Sequence, residues 1–176
     1  MCYSIYLSTT SKEDLSLLDS KLFSFSQLPD KRPCKDDLDK RASDPLLANT
    51  FQETEEESEI IALLAFSRKW YVHSEGRGCS CHFRHAIESY DPKTGEQFPP
   101  EFGGPEEWCE EVADSLDATR SIYDIINRLI LEGYSLDLVD HWGAEPDDIE
   151  TVQVSSSQVP RDHFRFFGDY KFTFSA

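Results

Sequence analysis

Residues 104–142 read GPEEWCEEVADSLDATRSIYDIINRLILEGYSLDLVDHW, a run that changes from helical to strand periodicity at a single glycine. Gly104 and Pro105 suit a helix start, and Glu106, Glu107, Glu110 and Glu111 complement the positive end of its dipole. Trp108, Val112, Leu116, Ile122, Ile126 and Ile130 predict one apolar stripe, with a break near Asp117. Gly133 is the natural stop, because glycine enters a left-handed cap without a Cβ penalty. Beyond it the period drops to two, with Tyr134, Leu136 and Leu138 on one face of a strand.

Two more strands follow with no helical pattern between them. ETVQVSS (150–156) alternates, and DYKFTFS (169–175) places Tyr170, Phe172 and Phe174 on one side. At the other end, CYSIYLS (2–8) predicts a strand that ties the start of the chain into a sheet. Ser11 is the expected N-cap of a short helix, with Asp14 at the capping-box position and Leu15, Leu18 and Leu22 at helical spacing. EIIALLAF (59–66) reads as the buried end of a helix begun at Thr54, with a buried strand as the other reading. Strands segregated from helices predict an α+β fold. Its sheet should be mainly antiparallel, with five or six strands and one long and one or two shorter helices on one face.

KWYVHS (69–74) and CSCHFR (79–84) flank Glu75-Gly76-Arg77-Gly78, the pattern of a β-hairpin with a four-residue connection. Its pairing would set Ser74 opposite Cys79, His73 opposite Ser80 and Val72 opposite Cys81. Cys79 and Cys81 would then point together into the core, reduced.

The length of 176 residues fits one domain over 1–176. Residues 29–58 carry prolines, alternating charge and few apolar anchors, and predict a long charged mobile loop. Cys2, Cys34, Cys79, Cys81 and Cys109 are odd in number and do not form a secreted disulfide framework. MCYSIYLSTT lacks the basic and apolar regions of a signal peptide, so the expected location is cytoplasmic. No apolar run approaches the roughly 20 residues of a membrane span. Seventeen Lys and Arg against 34 Asp and Glu leave a net charge of −17. That field repels nucleic acid and anionic membranes and favours a basic protein partner or a small ligand.

Reactive side chains concentrate at Cys79, Cys81, His82 and His85, with His73 across the turn and Arg84 beside them. Thiolates and imidazoles are zinc ligands, and a neighbouring cation lowers a thiol pKa, so metal or thiol chemistry is one reading. The spacing opposes it. Structural zinc sites put two to four residues between cysteines, and a strand turns His82 away from the sulfurs. The expected cofactor is therefore none, with zinc at Cys79, Cys81, His82 and His85 as the alternative. Gly76 and Gly78 precede no helix and lack the context of a phosphate loop. Asp140, His141, Asp147, Asp148 and Glu150 offer acid–base or cation-binding groups near a strand end. Ser155, Ser156 and Ser157 fit no nucleophile pattern. Two functional classes stay open: a non-enzymatic protein- or ligand-binding regulatory domain, and a small thiol- or metal-dependent enzyme centred on the hairpin.

Overall fold

The computed structural model describes residues 3–28, 55–74, 80–83, 113–166 and 168–176. Among these, six strands form one sheet: β1 (Ser4–Thr9), β2 (Phe23–Gln27), β3 (Arg68–Ser74), β4 (Leu136–His141), β5 (Glu150–Ser155) and β6 (Tyr170–Ser175). Two helices accompany them, α1 (Glu55–Ala62) and α2 (Ala113–Leu131). The strand order is β2-β3-β1-β4-β6-β5. Four pairings are antiparallel and β5 runs parallel to β6, so the α+β expectation holds with a mixed sheet.

The central strands explain that order. Every residue of β1 and of β4 is buried, so both faces of these strands need cover. Ile5 and Leu7 join Trp70, Val72, Leu138 and Phe172 in a large core under Ile122, Tyr123, Ile126 and Leu129 of α2. Tyr6, between them in sequence, points the other way and meets Tyr71, Val139 and the α1 residues Ile60 and Ile61. The two helices thus lie on opposite faces, which corrects the expectation of helices on one face. A single layer would have left Tyr6, Tyr71 and Val139 in water.

The parallel β5–β6 pair requires a crossover, and residues 156–169 supply it over the α2 face. Phe164 from this connection stacks on Tyr123 with centroids 4.6 Å apart, and Phe166 packs edge-on against Phe164. Tyr123 donates its hydroxyl proton to the Val159 carbonyl at 2.6 Å, and burial raises its pKa. These rings therefore fill the space between α2 and the sheet.

Local sequence signals are met unevenly. Gly133 caps α2 at φ +88°, with its N–H on the Ile130 carbonyl and the Tyr134 N–H on the Leu129 carbonyl. The helix is continuous through Asp117, so the expected break is absent. The segment after Ser11 makes only a 3₁₀ turn, Leu15–Leu18, capped by Asp14 rather than Ser11. Leu22 ends in a turn, and the following Phe-Ser-Phe-Ser alternation forms β2, a strand that helical spacing had masked. Glu55–Ala62 is helical as expected, which shortens the expected loop of 29–58 at its C-terminal side; residues 29–54 lie outside the described residues. No helix among the described residues is long and apolar enough to cross a membrane.

The hairpin is a correction. After β3, the chain at Cys81–Phe83 forms a 3₁₀ turn, not a strand, and β3 pairs instead with β1 and β2. Ser80, fully buried, accounts for this. Its Oγ accepts the Ile5 N–H at 2.9 Å and donates to the Val72 carbonyl, while its own N–H donates to Tyr3. One hydroxyl thus bridges β1 and β3 just beyond the Tyr6–Tyr71 pair at the end of their ladder.

Candidate functional site

Of the six residues singled out in the sequence, Cys79, Arg84 and His85 lie outside the described residues. The backbone of His82 belongs to the 3₁₀ turn Cys81–Phe83. Cys81 is half-buried and packs against the α2-side core. His73 projects from β3 to the other face, where its ring meets Tyr71 at 4.4 Å and its Nε2 bonds Ser26 Oγ at 2.8 Å. The sheet therefore stands between the Cys81 thiol and the His73 imidazole and does not bring them together. Among the described residues, no group of three His, Cys, Asp or Glu side chains is placed to hold a metal.

A different pair of sequence candidates is drawn together. Asp140 and His141 end β4 and meet the turn Gly168-Asp169 that opens β6. Asp140 is fully buried; its Oδ2 accepts from Tyr3 Oη at 2.9 Å and the Gly168 N–H at 2.8 Å. Its Oδ1 accepts the Tyr170 N–H at 2.8 Å. Asp169 returns the arrangement. Its Oδ1 accepts the N–H groups of Trp142, Gly143 and Ala144 at 2.7, 3.1 and 3.1 Å, together with His141 Nδ1 at 3.1 Å. Each carboxylate thus holds the backbone of the segment that carries the other. Burial works to raise the Asp169 pKa, but the bonds from His141 and the three amides outweigh it and hold the carboxyl below its ordinary range.

His141 is also the ladder partner of Ser4, and both are buried. The carboxylate on Nδ1 fixes the orientation of the imidazole. Asp147, Asp148 and Glu150, the other acidic candidates of this region, stand exposed on the 3₁₀ turn Pro146–Asp148 and at the start of β5.

A second polar network fastens α1. Asp137 receives a bond from Ser8 Oγ, accepts the Ala65 N–H at 2.9 Å and pairs with Lys171 Nζ at 3.4 Å. Lys171 and Lys69 donate to the Leu63 and Ile61 carbonyls, placing two cations at the negative end of α1. At the other end, Tyr6 donates to Glu57 at 3.3 Å. Burial first, and then the Glu57 carboxylate, push that phenol well above its ordinary pKa.

Asp169, Asp137 and Ser80 were not marked by sequence. Asp169 had one usable signal: a Gly-Asp pair directly before a strand is turn chemistry, and here both residues are left-handed, at φ +92° and +65°. Comparison with family models, with curated proteins and with solved structures gives no match for this chain.

Proposed function

We propose that this chain is a non-enzymatic binding domain, cytoplasmic in setting, that recognises a basic protein partner. The observation that carries this reading is how its acidic excess is distributed. On and beside α2, the surface cations are consumed locally: Arg120 pairs with Asp117 and Asp162 at 3.1 and 2.8 Å. Arg128 pairs with Glu13 and Glu132 at 2.9 and 3.3 Å, and Arg161 with Asp124 at 2.8 Å. Neutralised pairs contribute little field at a distance, so the net −17 is left to act outward. Such a field attracts Lys- and Arg-rich surfaces and repels phosphate backbones. The Asp140–Asp169 arrangement supports the same reading, because its acceptors are directed to backbone amides that shape the fold.

The test is a comparison of basic peptides of equal charge but different order, at physiological salt. Selective binding, with some sequences at least tenfold tighter than their own scrambles, is the expected result. If every scramble binds alike, only bulk electrostatics is at work and the reading falls.

A further inference from the structure

The two edges of the sheet are treated differently. At β2 the outer backbone groups are capped by side chains of the preceding turn. Asp19 Oδ1 accepts the Phe25 N–H at 2.7 Å, and Ser20 Oγ accepts the Phe23 N–H at 3.3 Å. The Ser20 N–H in turn donates to the Phe23 carbonyl at 2.9 Å. At β5 the Ser155 carbonyl is capped by the Gln158 and Val159 N–H groups at 3.0 and 2.9 Å, but among the described residues the middle of the strand has no such cover. The Val152 carbonyl faces β6, where Thr173 Oγ1 approaches it at 3.5 Å. Because successive residues of a strand alternate, the N–H and C=O groups of Thr151 and Gln153 face away from the sheet. Among the described residues neither Thr151 nor Gln153 makes a backbone bond on that side, and both side chains are exposed. β5 has no proline, no lysine and no bulge, the usual protections of an edge.

We propose that the outer edge of β5 takes up an extended segment of the basic partner as a seventh strand. This rests on the reading of the chain as a binder of basic protein. Strand addition draws its affinity from main-chain hydrogen bonds and its selectivity from alternate side chains. Both are provided. Val152 and Val154 lie on the core face, so apolar residues at every second position of the incoming segment would extend that core. Exposed Glu145, Asp147, Asp148 and Glu150 lie at the N-terminal end of the strand, with no Lys or Arg in residues 144–150. They suit a cationic residue at the end of the incoming segment that lies beside them. The same acidity selects against a second copy of this chain as the occupant, since two edges would bring like charges together.

The probe is acetyl-KVKVKV-amide, compared with acetyl-KKKVVV-amide of the same composition and charge, on the full chain. The alternating peptide should bind at least tenfold tighter. Gln153→Pro removes an outward N–H while leaving the bonds to β6, so the variant should keep its melting temperature and lose that preference. If the variant fails to fold, N-methylation of the alternating probe on the natural chain decides. Methyl groups on one set of alternate amides should abolish binding, and those on the other set should not. Equal binding of the two peptides, or equal effects of the two methylation sets, overturns the proposal. So does a folded Gln153→Pro that keeps the preference, or a dimer of the natural chain that Gln153→Pro dissociates. If the two probes bind equally while other basic sequences still bind at least tenfold tighter than their own scrambles, the edge site falls and the basic-partner reading stands. If no basic peptide binds at all, both fall.

Discussion

A single oxygen of Asp169 collects four donors, and the residue sits at φ +65°, a conformation that side chains other than Asn, Asp and Gly adopt reluctantly. Backbone tolerance and charge can be separated. Asp169→Asn keeps the left-handed tolerance and one acceptor oxygen, whereas Asp169→Ala loses both. The expected costs are about 1–2 kcal/mol for Asn and about 2–4 kcal/mol for Ala, read from urea unfolding. The pH dependence has a definite sign. The folded pKa lies below the ordinary 3.8, so the stabilisation is present in full above that value and lost as the pH falls below it. The gap between natural chain and Asp169→Asn should therefore narrow from about pH 6 to about pH 3. A gap that stays constant would show that the charge contributes nothing. At this scale the sequence was informative about Asp140 and His141 as a group near a strand end. It could not show that Asp169, 28 residues beyond His141, meets it through the parallel β5–β6 crossover.

At the scale of elements, periodicity identified those whose two faces differ and failed where tertiary partners decided. β5 and β6 carry clean patterns and form where expected, and α2 does so over Ala113–Leu131; its expected start at Gly104 and Pro105, with Trp108 and Val112, lies outside the described residues. The expected second hairpin strand did not form, because β3 has β1 on one side and β2 on the other and offers no free edge. Local pairing of residues 69–84 was the reasonable inference from a turn between two β-prone runs; long-range pairing to the chain start displaced it. Ser80 is the residue on which that outcome turns. Ser80→Ala would leave the Ile5 N–H and the Val72 carbonyl without their hydroxyl bridge in a site with no exposure to water. One small substitution with almost no change in volume should therefore cost about 2–4 kcal/mol. Ser80→Thr, which retains the hydroxyl, should recover part of it. A loss below about 0.5 kcal/mol in Ser80→Ala would show that β1 and β3 close the gap directly.

For the whole molecule, composition was the most dependable guide, and its main quantity is the charge of −17. Two electrostatic contributions oppose each other here. Contact pairs such as Arg161–Asp124 at 2.8 Å stabilise, but this pair is exposed and worth at most about 1 kcal/mol. Repulsion among the uncompensated carboxylates destabilises, and it acts over longer separations. Salt sorts the two by distance, because the screening length falls from roughly 30 Å at 0.01 M to about 8 Å at 0.15 M. Over that range the long-range repulsion is removed while pairs in contact are only weakened. Raising sodium chloride from about 0.01 M to about 0.15 M should thus stabilise the chain by about 1 kcal/mol, raising Tm by about 2–4 °C. Chloride is chosen over sulfate so that surface exclusion does not add its own stabilisation. Most of the rise should come below about 0.15 M, where the screening length crosses the dimensions of the fold. A melting temperature that is flat or falls with salt would mean that the contact pairs outweigh the repulsion. The acidic excess would then be neutralised within the molecule, and the long-range attraction for a basic partner would lose its physical basis.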